Sequence, residues 1–475
     1  MDDRKNIWAL VAVALATFMT YLDNNIINVA IPVIEDDLGL SRAGMEWVVS
    51  SYILTFAGLM LIGGRLADLT GRRRIFLIGL GVFTAASFAA GLSGNVEALI
   101  ASRAVQGVGA ALLTPTTLAI ISATFTDRRE RNVAVGIWGA VGALALAAGP
   151  LLGGLLSDHV SWEWIFFINV PLGVVTAGLA LWAIDESRDP VERRLDIWGL
   201  VASTIALSTL TFALIEGDGR GWSSPEILLS FAAAAASAIW FVTVEGRVDD
   251  PMVDLALFRD RVFSGALVSL MLWAFGLFGI YFFTSLYLQG VLGFSATRAG
   301  LTFVPMALCM AVAAALSETV ARRFGAHRSV SFGMGLMGVA IASVALFGQD
   351  ASMLDLMPSF IAIGIGGGLT IPLTAVVLGV MPTDQAGVAS GVFNTSRELA
   401  GLLGITVIGV ILTRREDAVL GGGALPVDAF LSGYRLGLVI AGALVVAGAA
   451  ASWAALRKAE DEPVVNEDVG VPAAA

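Results

Sequence analysis

Lysine occurs only twice in the 475 residues, as Lys5 and Lys458, and histidine twice, as His159 and His327. A phosphate-cradling loop ends in Gly-Lys-Ser/Thr, so a chain with lysine only near its ends has no such loop for ATP. Two isolated histidines make neither an HExxH zinc motif nor a His-rich metal site. The one cysteine, Cys309, lies in an apolar run and excludes an intrachain disulfide and a cysteine metal cluster. Charge is scarce as well: 14% of residues are charged and 57% hydrophobic, with a mean hydropathy of +0.83. Soluble domains carry roughly 25% charged residues, so the fold class is an all-α integral membrane protein. The formal net charge of −11 carries little information, because in such a protein the position of charge matters more than its sum. No metal, cofactor, ATP or nucleic acid is expected as a partner, and no catalytic cluster points to an enzyme.

What is abundant is apolar sequence. A spanning helix needs about 20 mostly apolar residues, and fourteen such stretches run from 7–31 to 434–456, among them 163–183, 354–379 and 396–413. The first has the basic start of a secretory signal, but its run is too long and lacks a small-residue cleavage site, so it reads as a retained span. With the N-terminus in the cytoplasm, twenty Arg and Lys residues fall inside and six outside, which sets the orientation by the positive-inside rule. An even number of spans returns the C-terminus to the cytoplasm, in a multi-pass protein of the plasma membrane. Basic loops recur after the second span (GRLADLTGRRR, 64–74) and the tenth (ETVARRFGAHR, 318–328). The chain therefore parses as a six-helix bundle at 1–185, a two-helix insertion at 186–250, a second six-helix bundle at 251–456 and a disordered acidic tail at 457–475. Repeats of this kind point to a transporter, read as a monomer, in which one half rocks against the other.

The first span carries TYLDNNIINVAIP (20–32). On a helical wheel Thr17, Thr20, Tyr21, Asn24 and Asn28 form one stripe, flanked by Asp23 and Asn25. A polar stripe on a spanning helix must face protein or a watery cavity. The fourth span answers with Arg103, Gln106, Gly107, Ala110 and Thr114 on one face, and Arg103 lies at a depth close to that of Asp23. Two unpaired charges in hydrocarbon are each expensive, so an ion pair or shared polar cavity is expected. A carboxyl group holds its proton more readily when buried and less readily beside a guanidinium. Motion that changes the separation therefore changes proton affinity, as a proton-coupled transporter requires.

Other motifs are read against plainer accounts. Asp68 can pair with the nearby arginines, and the glycines of the loop permit a tight turn. In the fifth span, Gly149, Gly153 and Gly154 allow close helix packing around the kink expected at Pro150. GMGLMG (333–338) matches a dinucleotide fingerprint letter for letter, but lies inside a span with no preceding strand, so it reads as helix packing; GIGGGLTIP (364–372) reads the same way. The ninth span carries Trp273, Phe275, Phe278, Tyr281, Phe282, Phe283 and Tyr287, then Gln289, some of them candidates for a planar, apolar ligand. Glu318 and Glu398 are placed near helix ends, in structural roles.

With those residues in view, the chain resembles the fourteen-spanner drug:proton antiporters of the major facilitator superfamily over nearly its whole length. The resemblance rests on LDNNIINVAIP (22–32), GRLADLTGRRR (64–74), RAVQGVGAALLTP (103–115), GPLLGG (149–154), YLQGVLGFSATRAGLTFVP (287–305) and NTSRELAGLLG (394–404). It departs from the usual pattern at Asn25, Leu69 and Glu163. The resemblance implies that Asp23 carries the proton with Arg103 as its coupling partner. It makes Gly64, Asp68, Gly71, Arg72 and Arg73 a cytoplasmic gate, and Gly149, Pro150, Gly153 and Gly154 the antiporter motif. Asn24, Asn28, Gln106, Tyr281, Phe282 and Gln289 are the candidates for the substrate cavity. The implied function is proton-driven export of hydrophobic or amphipathic small molecules. The proton gradient is then the energy source, and membrane lipids surround the site. An importing or lipid-translocating member of the same fold is the alternative, and a non-transporting sensor the rival from another class.

Overall fold

The structure, a computed structural model, describes residues 2–188, 196–248, 251–374 and 386–461. Those residues are helices and short connections. The first half contains α1 (Asp2–Leu38), α2 (Arg42–Thr70), α3 (Arg72–Gly91), α4 (Val96–Thr124), α5 (Arg128–His159), the one-turn α6 (Trp164–Phe167) and α7 (Asn169–Ala183). A pair follows, α8 (Ile197–Arg220) and α9 (Pro225–Glu245). The second half contains α10 (Arg261–Leu286), α11 (Ala296–Phe324), α12 (Ala326–Val344), α13 (Met353–Gly368), α14 (Ala386–Leu420) and α15 (Pro426–Asp461). Among the described residues, thirteen segments are long and apolar enough to cross a membrane. The 19-residue α12, packed against α11, α13 and α15, is the fourteenth crossing.

Helix ends follow from local chemistry. Side chains of Ser41, Asn95, Asp127, Ser224, Asp260 and Ser295 accept backbone N–H groups that would otherwise be orphaned in the first turn. Gly71 joins α2 to α3 at φ 122°, and Gly325 joins α11 to α12 at φ 91°. Both backbones lie where an L side chain is strained, at matching points of the two basic loops, so the internal repeat of the sequence is also a repeat of turn geometry. Each half is a bundle of helices, and one cluster of buried apolar side chains runs through both. The halves meet along α5–α11 and α2–α14, while the α8–α9 pair lies against both α2 and α14.

Three expected boundaries are corrected. The first span does not stop near residue 31: α1 runs through Pro32 to Leu38, where Gly39 and Leu40 donate to the Glu35 carbonyl at 2.9 and 3.2 Å. Hydropathy ends with the apolar run, but Glu35, Asp36 and Asp37 continue the helix beyond it. The sixth span breaks at Ile168 into α6 and α7. The thirteenth starts at Ala386, ten residues before the expected 396. The end of the span expected at 354–379, parts of the 186–250 insertion (189–195 and 249–250) and residues 462–475 of the tail lie outside the described residues. The glycines of 333–338 and 364–368 are helical, and all but Gly335 pack closely against a neighbour. A Cβ on Gly333 would press on the Gly366 carbonyl, and one on Gly364 would strike that of Met306.

Candidate functional site

Asp23 and Arg103 meet inside the first half, each fully buried, with Arg103 Nη1 donating to Asp23 Oδ2 at 2.5 Å. The other carboxylate oxygen accepts from Gln106 Nε2 at 2.7 Å and Asn169 Nδ2 at 3.0 Å. Arg103 Nη1 also donates to Gln106 Oε1 at 2.8 Å, and its Nε to the Val48 carbonyl at 3.2 Å. Ser87 Oγ closes the network, accepting from Gln106 and Asn169 and donating to the Phe166 carbonyl. The guanidinium carbon stands 4.3 Å from the centre of the Tyr52 ring, a cation–π contact made stronger by desolvation. Five crossings thus contribute: α1, α2, α3, α4 and α7. A buried ion pair survives in such a setting only when its remaining lone pairs and protons are bonded. Here both carboxylate oxygens are engaged, and Arg103 Nη2 is left without a partner.

The cavity is a separate space. It lies between the halves, with a volume of about 240 Å³. From α1 it receives Thr17, Tyr21, Asn24, Asn25 and Asn28, and Trp138 comes from α5. From the second half come Trp273, Phe278 and Tyr281 of α10, and Arg397 and Glu398 of α14. The polar stripe read from the helical wheel and the Asp23 on its flank therefore face different surroundings. Thr17, Tyr21, Asn24 and Asn28 face the cavity, whereas Asp23, one residue earlier and about 100° around the helix, turns into the first half.

Of the expected cavity residues, Asn24, Asn28 and Tyr281 line it. Three do not. Gln106 is fully buried in the Asp23 network, Phe282 packs edge-on against Phe283 in the core of the second half, and Gln289 donates to the Val29 carbonyl at 2.9 Å. The physical reason is helix phase: Phe282 points about 100° away from Tyr281, and Gln289 lies in a five-residue π-helical turn (Tyr287–Val291) that shifts its direction. Glu398 is corrected too. Because α14 begins early, this carboxylate lies within the helix, only 2% exposed on the cavity wall, and accepts from Arg397 at 2.7 and 3.2 Å. Asn169, Ser87 and Tyr52 were not foreseen. An isolated Asn in the otherwise apolar FFINVP (166–171) was the available signal, since a polar side chain inside a span needs a partner.

At the end of the bundle that carries both described termini, Arg72 donates to Asp68 Oδ1 through Nε and Nη2 at 3.1 and 2.9 Å. The Glu186 carboxylate accepts from the backbone of Arg73 and Arg74, and Arg73 reaches the Leu181 carbonyl. These bonds tie the loop within the first half. A Cβ on Gly71 would meet the Glu186 carboxylate, and one on Gly64 would touch Pro115 at 3.4 Å.

At the opposite end the two halves are joined. α5 passes unbroken through Pro150, and its glycines fit two neighbours at once. A Cβ on Gly149 would press on Asn25 and one on Gly153 on the Ile26 carbonyl, both in α1, whereas one on Gly154 would strike the Ala296 carbonyl of the second half. Reciprocally, a Cβ on Gly300 would strike the carbonyl of Pro150. Asp158 accepts from Ala296 N at 3.1 Å and Thr297 N at 2.7 Å, capping α11 from the other half. Arg42 pairs with Glu416 at 2.5 Å between α2 and α14.

The Major Facilitator Superfamily model matches residues 13–405. The multidrug resistance protein Stp of Mycobacterium tuberculosis is 34% identical over 88% of this chain and 78% of its own. The tetracenomycin C resistance and export protein of Streptomyces glaucescens is 32% identical over 98% and 94%. The puromycin resistance protein pur8 of Streptomyces alboniger is 32% identical over 95% and 91%. Among solved structures, a bacterial homologue of the human lysosomal transporter Spinster, inward-facing and unoccupied, superposes with a TM-score of 0.67 at 17% identity, covering 96% of this chain and 98% of its own. At such identity the likeness is one of fold.

Proposed function

We propose that this chain, which belongs to the Major Facilitator Superfamily, is a drug efflux transporter that drives export by proton entry through Asp23 and Arg103. Relatives of 32–34% identity named for multidrug, tetracenomycin C and puromycin resistance support efflux of small molecules rather than an enzymatic role. The observation that carries the coupling is the division of α1. Asp23 is held by Arg103 in the first half, while the next residue, Asn24, lines the cavity between the halves. A substrate that turns or tilts α1 from the cavity side necessarily moves the carboxylate against its guanidinium. Protonation of Asp23 weakens the same pair, so substrate and proton act on one helix from two faces.

The chain sits in the plasma membrane as a monomer with both termini in the cytoplasm, in contact with membrane lipid. The joined ends of α5–α11 and α2–α14 then face outward, and the cavity receives substrate from the inner leaflet or the cytoplasm. A 100 mV membrane potential contributes about 2.3 kcal/mol for each net charge moved, or roughly fiftyfold in concentration ratio. No resident cofactor is needed.

The test uses everted membrane vesicles acidified inside, with a pH-sensitive dye and a panel of lipophilic antibiotics. Wild type is expected to dissipate the gradient when a substrate is added, and Asp23→Asn at matched expression is expected not to. Equal responses of the two proteins would remove Asp23 from the mechanism. Silence of wild type across the panel would favour a lipid-translocating reading.

A further inference from the structure

Four residues of the cavity wall each carry a buried polar atom without a protein partner. Asn28 Oδ1, Trp273 Nε1, Tyr281 Oη and Glu398 Oε2 are buried and make no hydrogen bond, and all four residues line the cavity between the halves. Asn28, Tyr281 and Glu398 are 7%, 3% and 2% exposed. Buried polar groups are normally satisfied, and each exception needs a reason. Four on one cavity wall, drawn from α1, α10 and α14, have a common one: their partner is what the cavity holds.

Their chemistry describes that partner. Asn28 Oδ1 and Glu398 Oε2 accept, Trp273 Nε1 donates, and the Tyr281 hydroxyl does either. A complementary ligand therefore carries donors and acceptors together. Trp138, Trp273, Phe278 and Tyr281 add four aromatic side chains to the lining, which suits an aromatic ring system. Charge is balanced, since Arg397 and Glu398 are the charged residues among the described lining and they bond each other. A fixed cation that approached Glu398 would also meet Arg397, and it has no N–H or O–H to offer Glu398 or Asn28.

Resting on the efflux reading above, we infer that this cavity selects planar, net-neutral aromatic compounds bearing both hydrogen-bond donors and acceptors, and discriminates against fixed cations of the same shape. Asn28, Trp273, Tyr281 and Glu398 are the residues that set this specificity.

Acridone and N-methylacridinium test it, being planar tricycles of closely similar size. The first is neutral with one N–H and one carbonyl, and the second carries a fixed positive charge and no donor. Binding to the purified full chain in detergent is followed by fluorescence anisotropy of each probe. Acridone is expected to bind at least tenfold more tightly than N-methylacridinium. Tyr281→Phe and Trp273→Phe, which keep ring packing and remove one polar atom each, are expected to weaken acridone by about two- to tenfold and to leave the cation unchanged. Equal or tighter binding of the cation, absence of acridone binding, or wild-type affinity in both variants would overturn the inference. The measurement needs no proton gradient. If acridone binds as expected while Asp23→Asn vesicles respond like wild type, only the coupling mechanism falls. If the gradient assay succeeds while acridone fails, only the specificity falls.

Discussion

Removing one carboxylate at the end where the two halves are joined should change how often the protein opens there. Asp158 belongs to α5, and it accepts the first two backbone N–H groups of α11, at 3.1 and 2.7 Å. Ser295 Oγ takes the N–H of Arg298 at 3.3 Å, so three of the four groups left unbonded at that helix start are satisfied, two of them by the opposite half. A hydrogen bond to a charged group contributes about 1.5–3 kcal/mol when sheltered. Asp158 is exposed, water replaces part of what is lost, and charge at a helix start contributes about 0.3–1 kcal/mol at the surface. The joined end should therefore lose about 1–2 kcal/mol in Asp158→Ala, a five- to thirtyfold shift toward the open form. Asp158→Asn, which keeps one acceptor, should fall between. The single native cysteine makes the assay simple. In a Cys309→Ser background, spin labels at Val160 and Leu346, 59% and 82% exposed on opposite halves, report the distance at that end by pulsed electron resonance. The long-distance population should grow in Asp158→Ala. Identical distance distributions in wild type and Asp158→Ala would refute the capping argument.

Arg103→Ala alone should destabilise the protein by about 3–5 kcal/mol, because Asp23 would keep a buried charge without its partner. Asp23→Ala/Arg103→Ala should recover part of the loss in a thermal denaturation series, and a double variant no more stable than Arg103→Ala would contradict the pairing. Gly300→Val places side-chain atoms against the Pro150 carbonyl and should reduce vesicle transport at least tenfold at normal membrane levels, whereas wild-type transport would show that the close approach of α5 and α11 is dispensable. The C-terminal end of α8 is tied to both halves, by Trp47 to Glu216 at 2.9 Å and by Arg414 to Asp218 at 3.1 Å. Glu216→Gln/Asp218→Asn should therefore widen the same spin-label distance as Asp158→Ala by a smaller amount, about 0.5–1 kcal/mol; an unchanged distance would mean that the α8–α9 pair does not restrain opening.

The parts of this protein legible in its sequence are those in which a rare residue type is costly where it stands. Asp23 and Arg103 qualify, since a charge inside a span demands a partner. The loops ending at Gly71 and Gly325 qualify because a repeated basic pattern marks a repeated turn. Hydropathy fails where helix and membrane do not end together: α1 continues over Glu35, Asp36 and Asp37, and α14 starts in the weakly apolar AGVASGVFNT (386–395). That second error moved Glu398 from a cavity wall to a helix end. A helical wheel fails in a different way. It orders the side chains of α1 around its axis, but it contains nothing about which direction is the interior of the first half and which is the space between halves. Gln106 was thus grouped with Asn24 and Asn28 as a cavity residue, although it bonds Asp23 at 2.7 Å and the latter two line the cavity. The distinction depends on where α4, α7 and α10 lie around α1, which is a property of tertiary packing. It is also the property on which the proposed coupling rests, because a helix with all its polar groups on one side would give substrate and proton the same site and leave them to compete for it directly.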